Sequence, residues 1–266
     1  MPTVSLNGAE LYYEDRGSGP RVLFIHAMCG NANVWDGQVD RVGDRFRCVT
    51  YDRRGHSRST LGAIEQRTVE MHGDDAAALI RALGLAQCLL VGSSGGARVA
   101  LDVMLRYPEL LRGAVLSEPP LFALDPTGAA QFQAEVRPKL QQAMAAGGPR
   151  AAVDAFFDYV CPGLWRAIDE ERREIYRANA GELLPDLQMP TYQVELDDLS
   201  RVQIPCLVVK GNHLKDIRQL SGRLFGCRFA RLARLLEEFV EQCRAEFRLG
   251  QGLYARPATG ERLDSR

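Results

Sequence analysis

Short runs of apolar residues, each too short for a helix and too continuous for a half-exposed strand, constrain this chain most. Val22-Leu23-Phe24-Ile25 is unbroken, and Phe46 to Tyr51, Cys88 to Val91 and Gly113 to Leu116 repeat its character. A strand apolar on both faces needs cover on both, the situation of a parallel sheet flanked by helices. Helix-like stretches stand between the runs, at Val34 to Val42, Arg67 to Leu83 and Ala97 to Tyr107. In the second of these, Val69, His72, Ala76, Leu79 and Leu83 alternate spacings of three and four, a mostly apolar stripe fit to lie on a sheet, with Asp74 and Asp75 off it. The pattern predicts βαβ units. At the start, Thr3 to Leu6 and Leu11 to Glu14 flank Asn7-Gly8, a hairpin signal that predicts an antiparallel beginning.

A chain of 266 residues accommodates one α/β core with an insertion. After Ser117-Glu118-Pro119-Pro120 closes a strand, the composition of 121–200 shifts to Ala, Gln, Glu and Arg. Patterns such as Phe132, Val136, Leu140 and Met144, or Val153, Phe156, Phe157 and Val160, predict a helical cap there. Strand character returns at Cys206 to Lys210, so 1–120 and 201–266 are expected to form the core. From about 214 onward the segment is atypical: Phe229, Leu232, Leu236, Phe239, Val240, Cys243 and Phe247 mark one helical face, and the end is polar and Arg-rich.

Lys plus Arg is 33 against 34 Asp plus Glu, which supplies no field for nucleic acid or an anionic membrane; a small molecule is the expected partner. The N-terminal residues show no basic and apolar leader pattern and no run reaches membrane-spanning length, so a cytoplasmic protein is expected. Seven scattered cysteines without a C-x-x-C pair argue against a disulfide framework and a structural zinc. The histidines form no H-x-x-x-H pair, and neither metal nor cofactor is expected. Oligomeric state is not legible.

The chemistry concentrates at Gly92-Ser93-Ser94-Gly95-Gly96, a G-x-S-x-G between an apolar run and a helix-like run. That placement predicts a nucleophile elbow, a sharp strand-to-helix turn presenting the Ser94 hydroxyl, with glycines where side chains would clash. A serine hydroxyl needs a base and donors for a developing oxyanion. Gly95 N–H, at the start of the following helix, is one such donor.

Three motifs in order resemble the α/β-hydrolase superfamily, in the capped branch of esterases, lactonases and cofactor-free haloperoxidases. They are Phe24-Ile25-His26-Ala27, where Ala27 replaces the usual glycine, then Tyr51-Asp52-Arg53-Arg54-Gly55-His56-Ser57-Arg58-Ser59, then the elbow. The resemblance runs from residue 1 to about 213. It implies an α/β-hydrolase fold, a mostly parallel sheet with helices on both faces and a helical cap inserted after Glu118. It makes Met28 N–H the second oxyanion donor. For the acid it offers two positions: Glu118, favoured because an apolar strand ending in Glu-Pro-Pro needs a reason for its carboxylate, and Asp216, two residues late for the family's G-x-x-D spacing. A solvated or ion-paired rim glutamate is the competing reading of Glu118.

The family's histidine would fall near 234–242, where the sequence has neither the final strand nor a Gly-His turn. Of the four histidines, His26, His56 and His72 read as structural, which leaves His213, in the loop that normally supplies the acid. A reading-frame change near codon 214 or a natural replacement of the C-terminal segment would each produce this departure. The resemblance therefore implies a serine hydrolase of a small ester, thioester or lactone through an acyl-enzyme at Ser94. The alternative is a catalytically impaired or non-catalytic small-molecule binding protein of the same fold.

Overall fold

The computed structural model of the chain describes residues 2–64 and 66–209. His213, Asp216, the altered final strand and the helical face expected beyond residue 226 lie outside the described residues.

Among the described residues seven strands form one sheet in the order β1-β2-β4-β3-β5-β6-β7. β1 (Thr3–Leu6), β2 (Ala9–Arg16) and β4 (Arg47–Tyr51) meet antiparallel, and β3 (Arg21–Ile25), β5 (Cys88–Ser93), β6 (Leu111–Ser117) and β7 (Cys206–Val209) continue from β4 in parallel. The mostly parallel sheet and its antiparallel start are as the sequence predicts. Asn7 and Gly8 adopt positive φ, 49° and 79°, as a two-residue hairpin turn requires.

Unbroken apolar strands are explained by which way alternate residues point. Leu23, Ile25 and Leu90 join α2 (Val69–Ala82) and α3 (Gly95–Arg106) in one core cluster. Val22, Phe24, Leu89 and Val91 face the other way, onto Val34, Trp35 and α1 (Asp36–Val42). The helix expected over Val34 to Val42 is split, with a 3₁₀ turn at Ala32–Trp35 before α1. Thr68 Oγ accepts the Met71 N–H at 3.0 Å and so sets where α2 begins. α3 starts two residues before the predicted Ala97, because the turn at Ser94 leads directly into it. Asp75, off the apolar stripe, is nonetheless 1% exposed: Arg54 reaches both its oxygens at 2.7 Å, and a paired carboxylate tolerates burial.

Between β6 and β7 the chain is helical: α4 (Pro126–Val160), α5 (Pro162–Ala167), α6 (Glu170–Arg177), α7 (Leu183–Leu187) and α8 (Leu196–Ser200). α4 is broken at Gly147 and Gly148, the latter with φ 72°. Phe132, Val136, Phe156, Phe157 and Trp165 of this segment share an apolar cluster with Met28 and Cys29 of the loop after β3. Tyr192 does not join them; it packs into the core beneath α3 and hydrogen-bonds Asp102. Cys29, Cys48, Cys88 and Cys161 are buried free thiols, whereas Cys206 on β7 is exposed. Among the described residues no helix is long and apolar enough to cross a membrane.

Candidate active site

Ser94 occupies a backbone conformation that serine rarely adopts, φ 51° and ψ −115°. Such strain costs about 1–3 kcal/mol and persists only where the surroundings enforce it. Two glycines do so. A Cβ on Gly92 would stand 2.4 Å from Gly96 O, and one on Gly96 would stand 2.3 Å from Ile25 O, so the start of α3 lies against the ends of β5 and β3. Ser94 N–H donates to Ser117 O at 2.8 Å, which fixes the turn beside the end of β6. Ser94 itself is buried, at 7% exposure.

Gly95 and Met28 come together. A Cβ placed on Gly95 would lie 3.7 Å from Met28 N, so the two backbone N–H groups predicted to receive an oxyanion border one small space. The loop carrying Met28 is held by Asp52, whose Oδ1 accepts the Ala32 N–H at 2.7 Å and whose carboxylate is clasped by Arg58. Asn179, from the helical segment, holds it from the other side: its Nδ2 donates to Cys29 O at 3.2 Å and Gly30 O at 3.1 Å, while its Oδ1 accepts Ser57 N–H at 2.7 Å.

Glu118 directly follows β6, buried at 3% exposure with φ 56°. Its N–H donates to Val209 O at 2.9 Å, and its charge, after burial itself, helps push the Cys161 thiol up to about 12. Register places Ser93 opposite Ser117, so Glu118 emerges at the same sheet edge as Ser94. The structure thus gathers Ser94, Gly95, Met28 and Glu118 at one edge.

The three described histidines are engaged elsewhere. Arg53 N–H donates to His26 Nε2 at 2.9 Å while His26 Nδ1 lies 2.7 Å from Ala27 O, so both ring nitrogens are used and the proton sits on Nδ1. Burial, and then the positive charge of Arg53, hold His26 and His72 well below the ordinary histidine value. His56 Nε2 lies 3.3 Å from Arg53 Nη2 and 3.4 Å from Asp186 Oδ2.

Three residues of this region lie outside the site candidates that the sequence analysis offers. Arg53 pairs with Asp186 of α7 at 2.8 Å, both 1% exposed at the side chain. Burial would raise the Asp186 carboxyl, but Arg53 and His56 outweigh it and hold it well below the usual aspartate range. Arg98, one turn after Ser94 in α3, is 8% exposed, and its Nε is sealed without a hydrogen-bond partner. The signal for Arg98 is a charge within the otherwise apolar run Ala97 to Leu101; Asp186, at the far end of a chain separation of 133 residues, gives none. No cluster of three or more metal-ligating side chains occurs among the described residues.

A family model described as alpha/beta hydrolase fold matches residues 20–156, half of the chain. The chain is 39% identical over 123 residues to the Bacillus subtilis protein named "Uncharacterized hydrolase YraK", covering 46% of this chain and 45% of that one. It is 35% identical over 112 residues to the 2-(acetamidomethylene)succinate hydrolase of Mesorhizobium japonicum, covering 42% of this chain and 40% of that one. The chain thus spans less than half the length of these curated relatives. In fold it is similar to an alpha/beta hydrolase from Sphaerobacter thermophilus, with a TM-score of 0.70 at 23% identity, covering 90% of this chain and all of that one. The chain belongs to the alpha/beta hydrolase fold family.

Proposed function

We propose that this chain is a serine hydrolase that cleaves a small ester, thioester or lactone through an acyl-enzyme at Ser94. The observation that carries the reading is the strained Ser94 turn with Gly95 and Met28 N–H groups bordering one space beside it. In this reading Ser94 Oγ attacks the carbonyl carbon and gives its proton to a base, and the two N–H groups receive the charge that develops on the carbonyl oxygen. The alcohol or thiol leaves, and water then releases the acid. Glu118 orients the base, with Asp216 as the alternative acid, and His213 is the base. Helices of 121–200 act as the cap, since their apolar cluster extends onto Met28 and Cys29. The names of the two curated hydrolases support the reaction class.

A second reading has its own support: His26, His56 and His72 are engaged in structural hydrogen bonds or sealed, so catalysis depends wholly on a base outside the described residues. Without one the protein is a small-molecule binder, and turnover falls to roughly 10³–10⁴ over water. A fluorophosphonate probe separates the readings. Labelling that Ser94→Ala abolishes supports the hydrolase, and no labelling of the wild-type chain refutes it. Undiminished labelling of His213→Ala rejects His213 as the base.

A further inference from the structure

A buried polar group is assembled from five elements: His26 after β3, Arg53 and His56 after β4, His72 on α2, Arg98 on α3 and Asp186 on α7. Its charges do not balance. Arg53 and Asp186 cancel each other at 2.8 Å, and His26 and His72 are held neutral. Arg98 is left over. No ion pair to it occurs among the described residues, and its Nε is sealed with no partner. Burial pushes the guanidinium down to about 10, which still leaves it charged at neutral pH. A buried charge without an ion pair is costly, so an anion brought beside it is stabilised.

The position of Arg98 says where that anion sits. The point at which a Gly95 Cβ would lie is 3.8 Å from Arg98 Nη2 and 3.7 Å from Met28 N. The guanidinium and the proposed oxyanion donor therefore flank the same small space, which the missing side chain of Gly95 leaves open. A guanidinium without an ion pair matches an anion, and its planar fork of N–H donors matches a carboxylate. Among the described residues no buried lysine stands ready as a second cation for a phosphate dianion.

We propose that Arg98 is the recognition residue for a carboxylate on the substrate, so that this site takes acidic esters in preference to neutral ones. The proposal rests on Ser94 marking the substrate site. In the complex the scissile carbonyl oxygen points to the Met28 and Gly95 N–H groups while the substrate's own carboxylate pairs with the Arg98 guanidinium. Arg98 takes no part in bond making.

The test uses the full chain carrying Ser94→Ala, so that binding is read without turnover, and calorimetric titration with monomethyl succinate and with dimethyl succinate. The monoanion is expected to bind about a hundredfold more tightly than the neutral diester, and Arg98→Met to erase that difference. Arg98→Lys, which keeps the charge but loses the fork, is expected to fall between the two. The free Arg98→Met protein is expected to keep or gain thermal stability, because removing an unpaired buried charge relieves the fold. Equal binding of the two esters, binding of neither, or a preference for the monoanion that survives Arg98→Met would overturn the proposal. So would a lowered Tm in Arg98→Met with ester discrimination unchanged, which marks a purely structural cation. If Arg98→Met fails to fold, Arg98→Lys carries the decision: undiminished discrimination refutes. Fluorophosphonate labelling of the wild-type chain reports independently on Ser94, so absent labelling with intact anion preference defeats the hydrolase reading alone.

Discussion

Replacing Gly96 by alanine places a methyl group where the structure has room for none. The new Cβ would stand 2.3 Å from Ile25 O, 2.6 Å from His26 O and 2.8 Å from Ile25 C, where ordinary contact begins at 3.4 Å. All three are backbone atoms at the end of β3, which cannot rotate aside, so the helix and strand must part by about 1 Å. Overpacking of this kind costs about 1–3 kcal/mol of stability. The second consequence is chemical. Met28 follows His26 by two residues, so the displacement moves Met28 N–H away from Gly95, and a misplacement of about 1 Å at a reacting centre costs roughly a hundredfold in rate. Urea unfolding reads the first effect and the rate of fluorophosphonate labelling the second. Gly37→Ala is the control, since a Cβ there meets nothing within 4 Å and α1 gains from losing a glycine. A Gly96→Ala protein with the unfolding midpoint and labelling rate of the parent would refute the argument that this glycine sets the donor geometry.

Asp186→Ala strands Arg53 in the interior and is expected to destabilise by about 3–5 kcal/mol, with most of the loss recovered in Arg53→Met/Asp186→Leu; a double-mutant cycle in urea checks this, and a single-mutant loss below about 1 kcal/mol would contradict it. Asn179→Ala leaves Cys29 O, Gly30 O and Ser57 N–H without their partner and is expected to cost about 1–3 kcal/mol in the same assay. Stability should also fall on acidification below pH ~6.5: the unfolded chain takes up protons on His26 and His72 there while the folded rings stay neutral, a loss of about 1.4 kcal/mol per pH unit for each until their depressed folded values are reached. Unfolding midpoints at pH 7 and pH 5.5 measure the slope, His72→Gln should shallow it, and a flat profile would be the wrong result.

The sheet was legible because burial on both faces leaves a local mark: Val22 to Ile25 must be apolar throughout if Leu23 faces α2 and α3 while Phe24 faces Trp35. The elbow was legible for a similar reason, since the glycines at 92 and 96 answer to contacts within a single strand-turn-helix. What escaped were residues whose role is completed from a distance. Asp75 falls off an apolar stripe yet is buried, because Arg54 comes to meet it. Tyr192, at the end of the helical segment, joins the core near Asp102 and not the apolar cluster of α4 and α5. Asn179 in the turn after α6 and Asp186 in the short α7 have nothing nearby in sequence to show that they reach the loops after β3 and β4. Periodicity reports which face of an element is covered, and it is silent on which polar group will be matched across the fold.

Arg53 and Arg54 are adjacent, yet the chain completes them at very different times. Arg54 finds Asp75 only 21 residues on, whereas Arg53 waits for Asp186, 133 residues on. At ordinary rates of synthesis that interval is on the order of ten seconds, during which β3, β4 and α2 are out of the ribosome with the Arg53 guanidinium still in water. The space among His26, His56 and His72 therefore closes only when α7 arrives with the carboxylate that pairs with Arg53. Truncations between residues 120 and 185 should leave a nascent sheet that is ordered at its antiparallel end and open at the edge where Ser94 stands.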